Sequence, residues 1–153
     1  MNDATLMQLR LEWKSGDALR VGRTILEPLP SSRQVSRAAA ILDVCRMRWA
    51  AVPAVDAVSA LARVPERWRE GHDHFRAVRQ LTLLEEKRRT NNIYYSLLFV
   101  AENTAKTIYN ATAPSAPFDE DSPFWLAENA LEMARNVNAS TFEDQIWQAL
   151  VGS

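Results

Sequence analysis

The chain has 153 residues and a formal net charge of −1, with 47% hydrophobic and 24% charged side chains. This length fits a single domain, and the balance of apolar and charged residues excludes a disordered chain. Five tryptophans supply large side chains for a core, and only four glycines occur. We therefore predict an all-α fold, with one domain over residues 1–153 and six or seven helices in an irregular bundle or in stacked helix pairs.

The first predicted helical segment covers residues 3–26. Apolar side chains such as Leu9 and Trp13 recur there at helical spacing. Gly16 interrupts the pattern, since glycine in a helix interior costs ~1 kcal/mol relative to alanine. We expect one kinked helix or two short helices in this segment.

Prolines divide the next part of the chain. Pro53 ends the preceding helix and suits the first turn of the next one, and Pro65 repeats the arrangement. Helices are therefore expected over residues 53–64 and 65–90. Gly71 is the weak point of the second of these helices.

Two short motifs predict helix starts. Ser31 with Gln34, and Ser140 with Glu143, match the capping box, in which the two side chains satisfy free backbone donors of the first turn. The second motif opens the last predicted helix of the chain.

Residues 92–113 are the most apolar stretch and predict the central helix. Residues 90–92 all favour helix caps and mark a break before it, although one continuous helix over residues 66–112 is an alternative. The longest apolar run, residues 93–101, is shorter than the ~20 residues of a membrane helix. No secretion signal is apparent at the N-terminus. We expect a cytoplasmic protein with no membrane contact.

A proline-bounded loop follows the central helix and is the first candidate binding surface. Its acidic and aromatic side chains are Phe118, Asp119, Glu120, Asp121 and Trp125. Pro114 and Pro117 favour an ordered loop, and acids flanked by aromatic anchors suit a basic protein partner. Alternatively, the acids stabilise the N-terminus of the next helix and the aromatic side chains fill the core.

Polar residues interrupt the apolar central helix and form the second candidate site. Glu102 and Asn103, with Tyr109, are the residues of a possible polar pocket in the bundle. Such a pocket requires a buried Glu102 carboxylate with a raised pKa. The alternative, which we expect, is that this face reaches solvent, where Glu102 pairs with Lys106.

Other chemistry has little support in the sequence. His72 and His74 point to different sides of a helix and lack further ligands, so no metal is expected. Cys45 fits a buried structural residue better than a nucleophile. The basic run at residues 87–89 adjoins acidic residues, which argues against nucleic-acid binding. No motif for a cofactor is present.

These observations favour a non-enzymatic protein–protein interaction module that acts through the acidic loop. In size, expected cytoplasmic character, lack of catalytic motifs and acidic surface, the chain resembles the small helical immunity proteins that bacteria make to neutralise polymorphic toxins. That resemblance implies a basic protein partner. Two alternatives remain: a small-molecule binder or enzyme with a pocket around Glu102, and a homodimer formed through exposed aromatic side chains.

Overall fold

The computed structural model describes residues 1–112 and 118–152. Within these residues the chain forms eight α-helices and one 3-10 helix, with no strand. In chain order the elements are α1 (Asp3–Lys14), α2 (Ala18–Leu26), α3 (Ser31–Arg46), α4 (Pro53–Ala62), the 3-10 helix Pro65–Glu70, α5 (Gly71–Arg88), α6 (Asn92–Asn110), α7 (Ser122–Val137) and α8 (Ser140–Val151). The all-α prediction is confirmed.

The described residues contain more α-helices than the six or seven expected, because the N-terminal segment is fully divided. Gly16 has φ +112°, a conformation that glycine adopts without steric cost. It separates α1 from α2. Since Trp13 at the end of α1 is completely buried, this turn also fixes where α1 lies on the core.

Helix α6 is the centre of the packing. It contacts α3, α4, α5 and α7. Eleven of its residues are buried, including the polar residues Glu102, Asn103, Thr104 and Thr107. Helices α2 and α8 complete the bundle by packing on α7 and α3, respectively. The central helix therefore places polar side chains, one of them ionisable, in the interior of the fold.

Gly71 sets the approach of α5 to α6. A Cβ atom at this position would lie 2.8 Å from the carbonyl oxygen of Ala105 and 3.0 Å from the Cβ of Tyr109. The predicted helix over residues 65–90 divides at Gly71, as expected of a weak point: the 3-10 helix Pro65–Glu70 ends before it and α5 begins at it. Gly71 also permits a close helix–helix contact.

The break between α5 and α6 is as predicted. The Asn91 side chain caps α6 by accepting hydrogen bonds from the backbone N–H groups of Ile93 and Tyr94, at 2.9 and 3.2 Å. Arg89 adopts φ +48° after the end of α5. The alternative of one continuous helix over residues 66–112 is thus wrong.

Both predicted capping boxes are wrong. The N-cap residues are Pro30 and Ala139, neither of which makes a side-chain cap hydrogen bond. Their extended backbone lets the helix begin at the next residue, so Ser31 and Ser140 are already helical. The Gln34 side chain instead donates to the carbonyl oxygen of Leu26, at 2.9 Å, and ties α3 to the end of α2.

Candidate functional site

A cleft of about 500 Å³ lies between α5, α6 and the beginning of α7. Its walls combine charged, amide and aromatic side chains. The lining residues are Phe75, Arg79, Phe99, Glu102, Asn103, Lys106, Asp119, Trp125 and Asn129. Six of the nine lining side chains are charged or amide groups, and three are aromatic. A concave site on which polar groups converge beside aromatic surface is a candidate ligand site.

Helical spacing explains why these side chains converge. Residues three or four positions apart lie on the same face of a helix. The sets are Phe75 and Arg79 in α5, Phe99 with Glu102, Asn103 and Lys106 in α6, and Trp125 and Asn129 in α7. Each helix therefore turns one face toward the cleft, and the loop before α7 adds Asp119.

Glu102 lies against the bundle interior and is 3% exposed. Its Oε2 accepts a hydrogen bond from the Thr82 hydroxyl of α5, and its Oε1 lies 3.5 Å from Nη1 of Arg79. Burial raises the pKa of this carboxyl, while Thr82, Arg79 and Lys106 oppose the rise. The expectation that Glu102 reaches solvent and pairs with Lys106 is wrong, because α5 covers it and supplies its ion-pair partner.

Two cationic side chains lie near the Glu102 carboxylate. Arg79 comes from α5 and is 39% exposed at its side chain. Lys106 comes from α6, and its Nζ lies 4.9 Å from the centroid of the Phe75 ring. This cation–π contact holds the ammonium group against the aromatic wall. The cleft thus carries positive charge from two facing helices.

An amide pair joins α6 to α7 at the same cleft. Nδ2 of Asn103 donates to Oδ1 of Asn129 at 2.7 Å, and Asn103 is largely buried. Each amide has a further polar atom that this contact does not use. The pair can therefore hold a ligand polar group in a fixed direction.

The loop residues named from the sequence have different surroundings in the structure. Phe118 packs among aromatic rings, with centroid distances of 4.9 Å to Phe75, 5.1 Å to His72 and 5.3 Å to Tyr109. Tyr109 is therefore placed in this aromatic cluster and not among the lining residues of the cleft. Trp125 is half-buried and lines the cleft.

The three consecutive acids have separate positions. Oδ1 of Asp121 accepts a hydrogen bond from Nη2 of Arg23 at 2.9 Å, which ties the start of α7 to α2. Asp119 accepts the backbone N–H of Asp121 at 2.9 Å and lines the cleft, and Glu120 is exposed.

The expectation of an ordered loop depends on Pro114 and Pro117. Both residues lie outside the described residues.

The remaining candidates lie apart from the cleft lining. His72 stacks on Phe118, and burial raises the pKa of the Cys45 thiol strongly. Within the described part of the chain, no group of three or more His, Cys, Asp or Glu side chains could hold a metal ion. None of the described helices is both long and apolar enough to cross a membrane.

Of the cleft residues, Glu102, Asn103, Asp119 and Trp125 are predicted site residues, whereas Arg79 and Asn129 are not. Arg79 follows Phe75 by four residues, and Asn129 follows Trp125 by four residues. This repeated pairing of an aromatic with a polar residue at i, i+4 was a readable signal. The pairing predicts that the two side chains share one face of their helix. Only the packing of the helices shows that these faces line the same cleft.

Comparisons of the chain with protein-family models, with curated proteins and with solved structures find no match. The protein is therefore described by its fold and its cleft alone. It is an all-α bundle with a polar, aromatic-walled cleft beside a buried glutamate.

Proposed function

We propose that the protein binds a small organic molecule in the cleft between α5, α6 and α7. The observation that carries this proposal is the convergence of buried Glu102 with Arg79 and Lys106 on a concave site. Burying ionisable groups is costly, and such groups with shifted pKa values in a cleft mark candidate functional sites. The proposal concerns binding and assigns no catalytic step.

The apolar walls support the same function. Phe75, Phe99 and Trp125 present aromatic surface to the cleft. Aromatic faces contribute buried area and accept a flat group by stacking. The Asn103–Asn129 amide pair adds directional hydrogen bonding beside this surface. A ligand with a flat apolar body and at least one polar group satisfies all of these features.

The test is a fragment screen against ¹⁵N-labelled protein, followed by affinity measurements on variants. We expect cleft-binding fragments to shift signals of the lining residues. Asn129→Ala should weaken such a fragment about tenfold, because one hydrogen bond is lost. Asn136→Ala, in the same helix, is the matched control, since this exposed side chain donates to the carbonyl oxygen of Glu132. No cleft shift from any fragment, or equal affinities for both variants, would overturn the proposal.

A protein partner for the acidic loop is the second candidate function. The exposed positions of Asp119 and Glu120 support it. A basic partner, an immunity-type role and a cytoplasmic location in a bacterium belong to this proposal. The test compares wild type with Glu120→Lys in partner capture at low and high salt. Asp121 is left unchanged because it pairs with Arg23. Equal, salt-independent capture by both proteins would argue against the loop.

A homodimer is a further proposal from the sequence. The exposed aromatic side chains expected for it are not found among the described residues, whose aromatic side chains are all buried or partly buried. Exposed apolar side chains on α1, at Met7 and Leu11, are the surface that supports the proposal instead. Light scattering over a range of protein concentrations measures the oligomeric state directly. A monomer at all concentrations would reject self-association.

A further inference from the structure

Two cationic side chains of the cleft, Arg79 and Lys106, act on the same carboxyl group. Resting on the proposed binding function, we propose that the cleft takes an organic carboxylate with a flat apolar body, and that the carboxylate lies between Arg79 and Lys106. The aromatic walls hold the body of the ligand.

The donors around Glu102 outnumber the acceptors that it offers. An arginine side chain has five N–H donors and a lysine has three. The one Glu102 carboxylate already accepts the Thr82 hydroxyl, and its 3.5 Å contact with Arg79 involves one guanidinium nitrogen. Arg79 and Lys106 therefore have more donors than Glu102 can accept. A second carboxylate, brought by the ligand, fits this surplus.

The positions of Arg79 and Lys106 also suit a carboxylate. Arg79 and Lys106 belong to facing helices, and both act on the Glu102 carboxyl. A ligand carboxylate that binds both side chains receives a guanidinium from α5 and an ammonium from α6. Arginine binds carboxylates through paired, parallel hydrogen bonds, which gives such a site direction as well as charge. The Phe75 ring keeps the Lys106 ammonium in the cleft.

Two carboxyl groups, Glu102 and Asp119, also line the cleft, so the formal charges of its lining balance. Glu102 already accepts the Thr82 hydroxyl and pairs with Arg79, and the exposed Asp119 accepts a backbone N–H. Among the described residues, no carboxylate lies within ion-pair distance of the Lys106 ammonium, which contacts the Phe75 ring. An anionic ligand therefore gives Lys106 a partner that the described residues do not, whereas a cation is repelled there and a neutral molecule leaves the surplus donors unused.

The test uses three probes that share one body and differ in the charge of the head group: phenylacetate, phenylacetamide and phenethylamine. We expect phenylacetate to bind at least tenfold more tightly than phenylacetamide, with phenethylamine the weakest. Binding is followed by chemical-shift changes at the cleft residues, since small probes have millimolar affinities. Added salt should weaken phenylacetate and leave phenylacetamide unchanged.

Variants of Lys106 assign the preference to this site. Lys106→Met should bring the affinities of phenylacetate and phenylacetamide close together, and Lys106→Arg should restore the difference. Lys87→Met is the matched control, because this exposed lysine lies near the end of α5 and outside the cleft. It should leave the preference for phenylacetate unchanged. Circular dichroism confirms that each variant is folded.

The outcomes separate the ligand class from the binding function. Equal or tighter binding of phenylacetamide or phenethylamine overturns the carboxylate assignment, and so does a phenylacetate preference that survives Lys106→Met. Other cleft-binding fragments, weakened by Asn129→Ala, would show that the binding function still holds. Cleft signals that no fragment or probe shifts would reject both.

Discussion

Two buried glutamates on the same helix pair have opposite environments. Oε1 of Glu85 accepts three hydrogen bonds at the turn between α5 and α6: from the hydroxyl of Thr90 at 2.6 Å, and from the backbone N–H groups of Thr90 and Asn91 at 3.0 and 2.9 Å. These bonds lower its pKa although burial acts against them. Glu102 has one hydroxyl donor and an ion pair, and burial raises its pKa.

The difference separates a structural acid from a candidate functional one. Backbone N–H groups are fixed by the fold, so the Glu85 charge is stabilised wherever the turn is formed. The Glu102 charge depends on side chains that line an open cleft. A ligand that enters the cleft can change those contacts. Glu85 lines a separate cleft of about 470 Å³, but two of its three donors are backbone groups of the turn.

The largest expected effect is the loss of the Glu85 carboxylate. Glu85→Ala removes the acceptor of three hydrogen bonds and should lower the free energy of unfolding by about 2–3 kcal/mol. Glu86→Ala is the control, because its carboxylate accepts a single bond from the Tyr95 hydroxyl at 3.0 Å; its cost should be below about 1 kcal/mol. Urea unfolding at neutral pH measures both. Equal costs would contradict a structural role specific to Glu85.

A smaller effect is expected for the hydroxyl beside Glu102. Thr82→Val removes a bond to the carboxylate and should cost about 1–2 kcal/mol at neutral pH. Thr104→Val is a matched control, since its buried hydroxyl donates to the carbonyl oxygen of Val100 within α6. It should cost less, about 0.5–1 kcal/mol. The gap between the variants should narrow in acid, where Glu102 is protonated; a gap that does not change with pH would contradict the assignment.

The smallest effect tests the raised pKa of Glu102. Its folded pKa lies above the usual value of 4.5, so the folded state holds this proton more tightly than the unfolded state. Stability from this group is therefore present below pH 4.5 and falls as pH rises through the folded pKa. Glu102→Gln has no carboxyl group at this position, so its stability should not show this decrease with rising pH.

The variant should thus gain stability relative to wild type as pH increases, in melting temperatures measured between pH 4 and 8. Glu85→Gln is expected to show the reverse trend, because a lowered pKa contributes stability above pH 4.5 that is lost in acid. Parallel curves for wild type and Glu102→Gln would show that the Glu102 pKa is not raised.

Local signals in the sequence predicted much of the fold. The cap at Asn91 and the apolar face of α6 are properties of adjacent residues, and both follow from the sequence. The capping motifs at Ser31 and Ser140 failed because the preceding residues, Pro30 and Ala139, take the N-cap position. Which residue takes the N-cap position depends on the backbone conformation of the chain that leads into the helix.

The site was less predictable because its parts lie far apart in the chain. The sequence shows Glu102 as a polar residue within an apolar helix but predicts that it is exposed, whereas it is buried. Its hydrogen-bond donor, Thr82, lies twenty residues earlier on another helix. Asn129, which completes the amide pair, lies 26 residues after Asn103. Helix neighbours are needed to join these residues, and periodicity within one helix does not supply them.

The most direct test of the cleft is the indole N–H signal of Trp125. The chain has five tryptophans, and Trp125 lines the cleft. Its signal is identified in a ¹H–¹⁵N spectrum by its absence from Trp125→Phe. On addition of phenylacetate or another fragment that binds, we expect this indole signal to shift while that of the fully buried Trp13 remains in place. A Trp125 signal that no ligand moves, or a shift confined to other tryptophans, would contradict binding in the cleft.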